Sequence, residues 1–101
     1  MSVMAELSIY PLGAGVSLSP FVAKAVRVVE ESGLPYAFGP MGTCIEGEWD
    51  EVMAVVGACY RAVQEGQERV SVNLKMDCRP GRSGGLTAKT AAVRALLEKP
   101  S

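Results

Sequence analysis

The 101-residue sequence contains no histidine, only three cysteines and 6% aromatic residues. Without imidazole it has no side chain that ordinarily titrates near neutral pH, and no serine or cysteine stands beside an evident base. General-base and nucleophilic hydrolysis are therefore disfavoured. Cys44, Cys59 and Cys78 are odd in number and widely spaced, which argues against a disulfide framework and against a zinc site. They read as small buried or half-buried thiols of a reducing compartment. No apolar run reaches the roughly 18 residues a membrane span needs, and the start Met-Ser-Val-Met-Ala-Glu-Leu lacks the basic region and apolar stretch of a signal peptide. The expectation is a soluble cytoplasmic protein. Ten Lys+Arg against eleven Asp+Glu give a formal charge of -1 with no block of one sign, so the clustered basic surface that nucleic acid requires is missing.

The chain has the composition of one globular domain over residues 1–101, with 49% hydrophobic and 21% charged residues. A domain this small has a modest core, and oligomerisation would add to it. Residues 3–10 alternate, with Ala5, Leu7 and Ile9 on one side and Glu6, Ser8 and Tyr10 on the other, as in a strand with one buried face. Ser19-Pro20 reads as an N-cap followed by proline at the first helical position. Val22, Ala25, Val26 and Val29 then recur at helical spacing, and Gly33 supplies the stop. Tyr36-Ala37-Phe38 and Thr43 to Glu46 read as strands around the turn Gly39-Pro40-Met41-Gly42. A second helix carries Val52, Val55, Val56, Cys59 and Val63 on one stripe and ends near Gly66. Arg69 to Asp77 alternates again, Val70, Val72, Leu74 and Met76 against Ser71, Asn73, Lys75 and Asp77. An exposed loop from Arg79 to Gly85 precedes a last helix from Leu86 to Leu97.

The order β-α-β-β-α-β-α is a β-α-β unit repeated, with a helix added. Right-handed crossovers interleave two such units into a four-stranded antiparallel sheet with both helices on one face. The predicted fold is thus an α+β, ferredoxin-like sandwich with spatial strand order 4-1-3-2 and an added C-terminal helix. The outward set Glu6, Ser8, Tyr10, Cys44, Glu46, Ser71, Asn73, Lys75 and Asp77 then lines a face that the double repeat leaves open to water, ligand or another subunit.

Gly13-Ala14-Gly15 lacks the third glycine of the dinucleotide fingerprint, and no Gly-Lys-Ser/Thr follows a strand, so turn chemistry explains the glycines. Arg79 and Arg82 could hold an anion, though solvated arginines are the plainer reading. Glu6 and Glu46, on neighbouring central strands, could do acid–base work or could accept hydrogen bonds from a ligand or a subunit. Carboxylates with Tyr10, Tyr36, Phe38 and Trp49 nearby suit an aromatic organic cation. Each aromatic taken singly is equally a core or interface residue.

Tyr10-Pro11-Leu12-Gly13, Ser17-Leu18-Ser19, Glu30-Glu31-Ser32-Gly33-Leu34 and Gly39-Pro40-Met41-Gly42-Thr43 with Ile45-Glu46-Gly47 together resemble the thiamine-binding protein family. Lys75-Met76-Asp77 with Arg79 is similar to that family's last strand. The resemblance implies a homo-oligomer, dimer or tetramer, that binds thiamine or its hydroxymethylpyrimidine part, with no reaction assigned and no cofactor beyond the ligand. By position it implies Ser17, Met41, Gly42, Thr43 and Glu46 near the ligand: Glu46 accepting from the aminopyrimidine, Thr43 making one hydrogen bond, Met41 packing on the ring. The open face adds Glu6, Ser8 and Asn73. The expected function is therefore non-catalytic binding of a small molecule, without metal, nucleic acid or membrane. The alternatives are a structural or regulatory oligomer that binds a protein, and an enzyme of thiamine salvage.

Overall fold

A computed structural model describes residues 2–81 and 84–98; Arg82, singled out above, lies outside them. The elements are β1 (Ser2–Pro11), α1 (Ser19–Ser32), β2 (Tyr36–Phe38), β3 (Thr43–Glu48), α2 (Trp49–Gln64), β4 (Val70–Arg79) and α3 (Gly85–Glu98). The strands form one sheet in the order β2-β3-β1-β4, with every neighbouring pair antiparallel. This is the ferredoxin-like arrangement with an added helix, and β1 and β3 occupy its centre as the patterning predicts.

Several boundaries differ from the sequence reading: β1 takes in Ser2 and Pro11, and Arg79 and Gly85, both expected in the loop between the last strand and helix, belong to β4 and α3. Ser19 lies inside α1, whose N-cap is Leu18 without a side-chain hydrogen bond. Pro20 still serves the first turn, where its fixed φ fits and its missing N–H is not needed. β3 runs on to Glu48, because Glu48 is itself the cap of α2: its backbone N–H donates to Glu51 Oε1 at 3.0 Å, half of a capping box. At the other end of the first helix, Gly33 adopts the left-handed conformation (φ 78°) that stops α1.

The register explains where the core sits, since residues directly opposite on antiparallel strands share a face. Leu7 faces Thr43 and Leu74, Ala5 faces Ile45 and Met76, and Val3 faces Gly47 and Cys78. That face meets α1 and α2, and Val3, Ala5, Ile45, Val52, Cys59 and Val63 are fully enclosed there. Val72 shares the helix side but keeps 43% exposure. It lies on the edge strand, while α1 packs on β1 and β2, and α2 mainly on β1 and β3.

Candidate functional site

The opposite sheet face can be read in rows. Met4 stands between Glu46 on β3 and Asp77 on β4; Glu6 stands between Cys44 and Lys75; Ser8 faces Asn73, and Tyr10 faces Ser71. The alternation of side chains along each strand puts all of these on the side away from α1 and α2. An open cavity of about 400 Å³ lies along β1 and β4, lined by Glu6, Ser8, Asn73 and Lys75 with parts of Val72 and Leu74. It presents a carboxylate, a hydroxyl, an amide and an ammonium, a donor and acceptor set able to orient a small polar ligand. Asn73 Nδ2 donates to Ser71 Oγ at 3.4 Å, which turns the amide along β4. Partial burial, and then the nearby Glu6 carboxylate, hold the Cys44 thiol above its ordinary value. Cys44 is therefore a neutral thiol at pH 7, not a nucleophilic thiolate.

The Glu46 end of the face is roofed by α3. The Gly85 backbone N–H donates to Glu46 Oε2 at 2.6 Å, and Lys89 Nζ pairs with Asp77. A carboxylate at the first turn of a helix satisfies an orphan N–H and matches the positive end of the helix dipole. Glu46 is left only 7% exposed. The space beside it, between Met4, Glu46, Gly85 and Lys89, is about 10 Å³, room for roughly one water. The hydrogen bond from Lys89, joined by the charges of Lys89 and Arg79, lowers the Asp77 carboxyl below its usual range. A Cβ at position 85 would lie 3.1 Å from Glu46 Oε2, so a larger residue there requires the Glu46 carboxylate to shift by a few tenths of an ångström.

Glu6, Ser8 and Asn73 thus meet at one cavity, while the other predicted residues lie apart from it. Glu46 sits beneath α3 on the same face. Thr43 points the other way, opposite Leu7, and is buried on the helix side at 6% exposure. Met41 is 84% exposed in the turn between β2 and β3, and Ser17 is exposed in the connection between β1 and α1. Gly42 touches the site indirectly: a Cβ there would lie 3.1 Å from the Leu7 carbonyl oxygen and 3.2 Å from Glu6 Cγ. Its missing side chain gives Glu6 its place. Lys75 also lines the cavity, a position that the alternation of β4 makes readable from the sequence. The pairing of Gly85 with Glu46 spans 39 residues, and no local pattern announces it. Among the described residues, no group of three or more acidic or cysteine side chains is placed to hold a metal ion, and no helix is long and apolar enough to cross a membrane.

Fold and site define a ferredoxin-like α+β protein whose uncovered, polar sheet face is roofed at one end by its last helix. The chain belongs to the thiamine-binding protein family, whose model matches residues 5–94. It is 45% identical over 101 residues to UPF0045 protein Mb1933 of Mycobacterium bovis, covering 99% of each chain. The crystal structure of protein MJ1052 from Methanocaldococcus jannaschii superposes with a TM-score of 0.85 at 34% identity, covering 92% of this chain and 96% of that one. A Thermotoga maritima protein named for thiamine biosynthesis or salvage shares the fold, with a TM-score of 0.77 at 22% identity over 90% of this chain and 99% of that one.

Proposed function

We propose that this protein is a non-catalytic, homo-oligomeric cytoplasmic binder of thiamine or of a related molecule containing hydroxymethylpyrimidine. The ligand sits on the open sheet face against a neighbouring subunit. The observation that carries the reading is the cavity of about 400 Å³ at Glu6, Ser8, Asn73 and Lys75, in a chain whose family is described by thiamine binding. Glu6 offsets the charge of a cationic ligand and accepts from an exocyclic amine, while Ser8 and Asn73 supply the directional hydrogen bonds that fix a heteroaromatic ring. No cofactor is called for. The neutral Cys44 thiol and the absence of histidine favour retention of the ligand over turnover.

Self-association is part of the reading because α3 exposes aliphatic side chains that nothing among the described residues covers. Val93, Leu96 and Leu97 are 55%, 67% and 78% exposed. Calorimetric titration with thiamine tests the ligand claim: saturable heat with a matching rise in Tm is expected, and absence of both at millimolar thiamine overturns it. Loss of the heat in Glu6→Ala, with retained circular dichroism, assigns it to this cavity.

A further inference from the structure

The cavity on the open face carries two opposite charges that do not pair with each other. Glu6 on β1 and Lys75 on β4 stand directly opposite, about 5 Å apart between Cα atoms, and both line the cavity. Oppositely charged residues so placed ordinarily associate across the strands. Here neither side chain enters an ion pair or a hydrogen bond with any described residue. The acidic group next to Lys75 on the same face of β4 is Asp77, and Lys89 already engages it. Glu6 and Lys75 are both exposed, so each presents an unclaimed charge to a molecule that enters.

The balance of these charges bears on what that molecule is. One carboxylate and one ammonium line the cavity, so its fixed charges sum to zero. A monocation such as thiamine is drawn by Glu6 and repelled by Lys75 at similar range, and the two effects largely cancel. A ligand with N–H donors at one side and an anion at the other is favoured by both. The strands divide the cavity in the same sense, with Glu6 and Ser8 on β1 and Lys75 and Asn73 on β4. The Ser8–Asn73 row lies about 7 Å along the strands from the Glu6–Lys75 row. Asn73 Nδ2 donates to Ser71 Oγ, which leaves the second N–H of the amide for a ligand, beside the three of the Lys75 ammonium. With the Ser8 hydroxyl across from them, these donors suit a phosphoryl group with three terminal oxygens. Glu6 only accepts, so it keeps the anion on the β4 side and takes an exocyclic amine on its own.

We propose that this cavity selects the phosphate monoester of a hydroxymethylpyrimidine over the free alcohol and over unphosphorylated thiamine, with Lys75 and Asn73 holding the phosphate and Glu6 the exocyclic amine. In such an ester the amine and the phosphate-bearing carbon are attached to neighbouring ring atoms, so both ends fall within the short span between β1 and β4. In thiamine the hydroxyl that carries phosphate lies at the far end of a second ring, beyond that span. A phosphate monoester has a charge of about −1.5 to −2 at pH 7. Lys75 offsets part of it, and the open cavity leaves the remainder hydrated.

The inference rests on the binding reading proposed above and narrows it to one class of ligand. Calorimetric titration of the full chain compares hydroxymethylpyrimidine, its phosphate monoester, thiamine and inorganic phosphate. The ester is expected to bind at least about ten-fold more tightly than the alcohol, the equivalent of one hydrogen bond to a charged group, and more tightly than inorganic phosphate. Its advantage should shrink as salt is raised. In Lys75→Met, affinity for the ester should fall about ten-fold while affinity for thiamine rises, a divergence that loss of folding would not produce. An alcohol that binds as tightly as the ester, or an ester no tighter than inorganic phosphate, overturns the inference, while saturable binding of the alcohol or of thiamine keeps the broader reading. An ester preference that survives in Lys75→Met also overturns it, because the anion then lies elsewhere. Absence of heat and of any rise in Tm with all three organic ligands overturns both the inference and the reading on which it rests.

Discussion

The two faces of the sheet are made by the same strands, yet they differ in every property that matters for function. On the helix side, Val3, Ala5 and Ile45 have no exposure at all, and the facing residues of α1 and α2 complete a close-packed core. On the other side, neighbouring rows carry Glu6 with Cys44 and Lys75, and Met4 with Glu46 and Asp77. The exposed charges there, Glu6 and Lys75, contribute little to folding and are open to a ligand or subunit, whereas Glu46 is buried beneath α3. The contrast teaches that burial is divided by side-chain parity: a residue's even or odd place on a strand decides whether it packs against the helices or lies on the opposite face. Substitutions on the two faces should therefore have different consequences.

The largest effect on stability is expected at the core. Ile45→Ala should lower the unfolding free energy by about 2–5 kcal/mol, the usual cost of the lost burial plus the cavity left behind. Denaturant unfolding measures it directly. A loss below about 1 kcal/mol would mean that the helix-side face does not carry the fold, and the division between the faces would fail.

Glu46 tests the border of that division, since it lies on the open face but is buried by α3. Glu46→Ala removes the acceptor of the Gly85 N–H. A buried donor left unpaired costs about 1–3 kcal/mol, and here the loss should fall on one element. Hydrogen exchange is expected to quicken in the first turns of α3 while α1 and α2 keep their protection. Gly85→Ala should act in the same direction, because its Cβ would press on the Glu46 carboxylate. Equal loss of protection through α1, α2 and α3 would show instead that Glu46 supports the whole domain.

The sequence made much of this legible, for physical reasons that also mark where legibility stopped. Alternation in 3–10 and 69–77 reports faces directly, so the polar rows and the strand order followed from pattern and handedness. Glu6, Ser8 and Asn73 were placed together because parity alone brings them to one side of adjacent strands. Thr43 has the same parity logic against it: its motif neighbours suggested a ligand contact, while its register with Leu7 turns it toward the core. The roof over Glu46 was illegible, because it depends on how the chain after β4 returns across the sheet, a long-range contact without a local signature. Val72 illustrates the remaining gap. Alternation fixes its side of the sheet, but its exposure depends on how far α1 and α2 reach toward the edge strand.

A smaller change is expected when charge is removed from the open cavity with its shape kept. Glu6→Gln should leave the denaturation midpoint nearly unchanged and weaken thiamine about ten-fold, the equivalent of one charge-assisted hydrogen bond at roughly 1.4 kcal/mol. Lys75→Met should move affinity for the cation in the opposite direction by removing a like charge. A fall in stability for Glu6→Gln comparable to that of Ile45→Ala would erase the distinction between the faces.

The smallest effect is a pH dependence confined to α3. Asp77 is held below its ordinary value by the hydrogen bond from Lys89, supported by the Lys89 and Arg79 charges. A carboxylate with a depressed folded-state pKa adds stability that is fully present above its unfolded value, near 3.8, and lost as pH falls through the folded value. Protection of the α3 amides should therefore be flat from neutral pH down to that range and then decline, while α1 and α2 hold. Because both partners of the ion pair are about two-fifths exposed, salt should weaken the effect. Lys89→Met should flatten the α3 profile. A profile that kept its decline in this variant would transfer the pH dependence from Asp77 to another group and leave the Glu46 contact as the principal tie between α3 and the sheet.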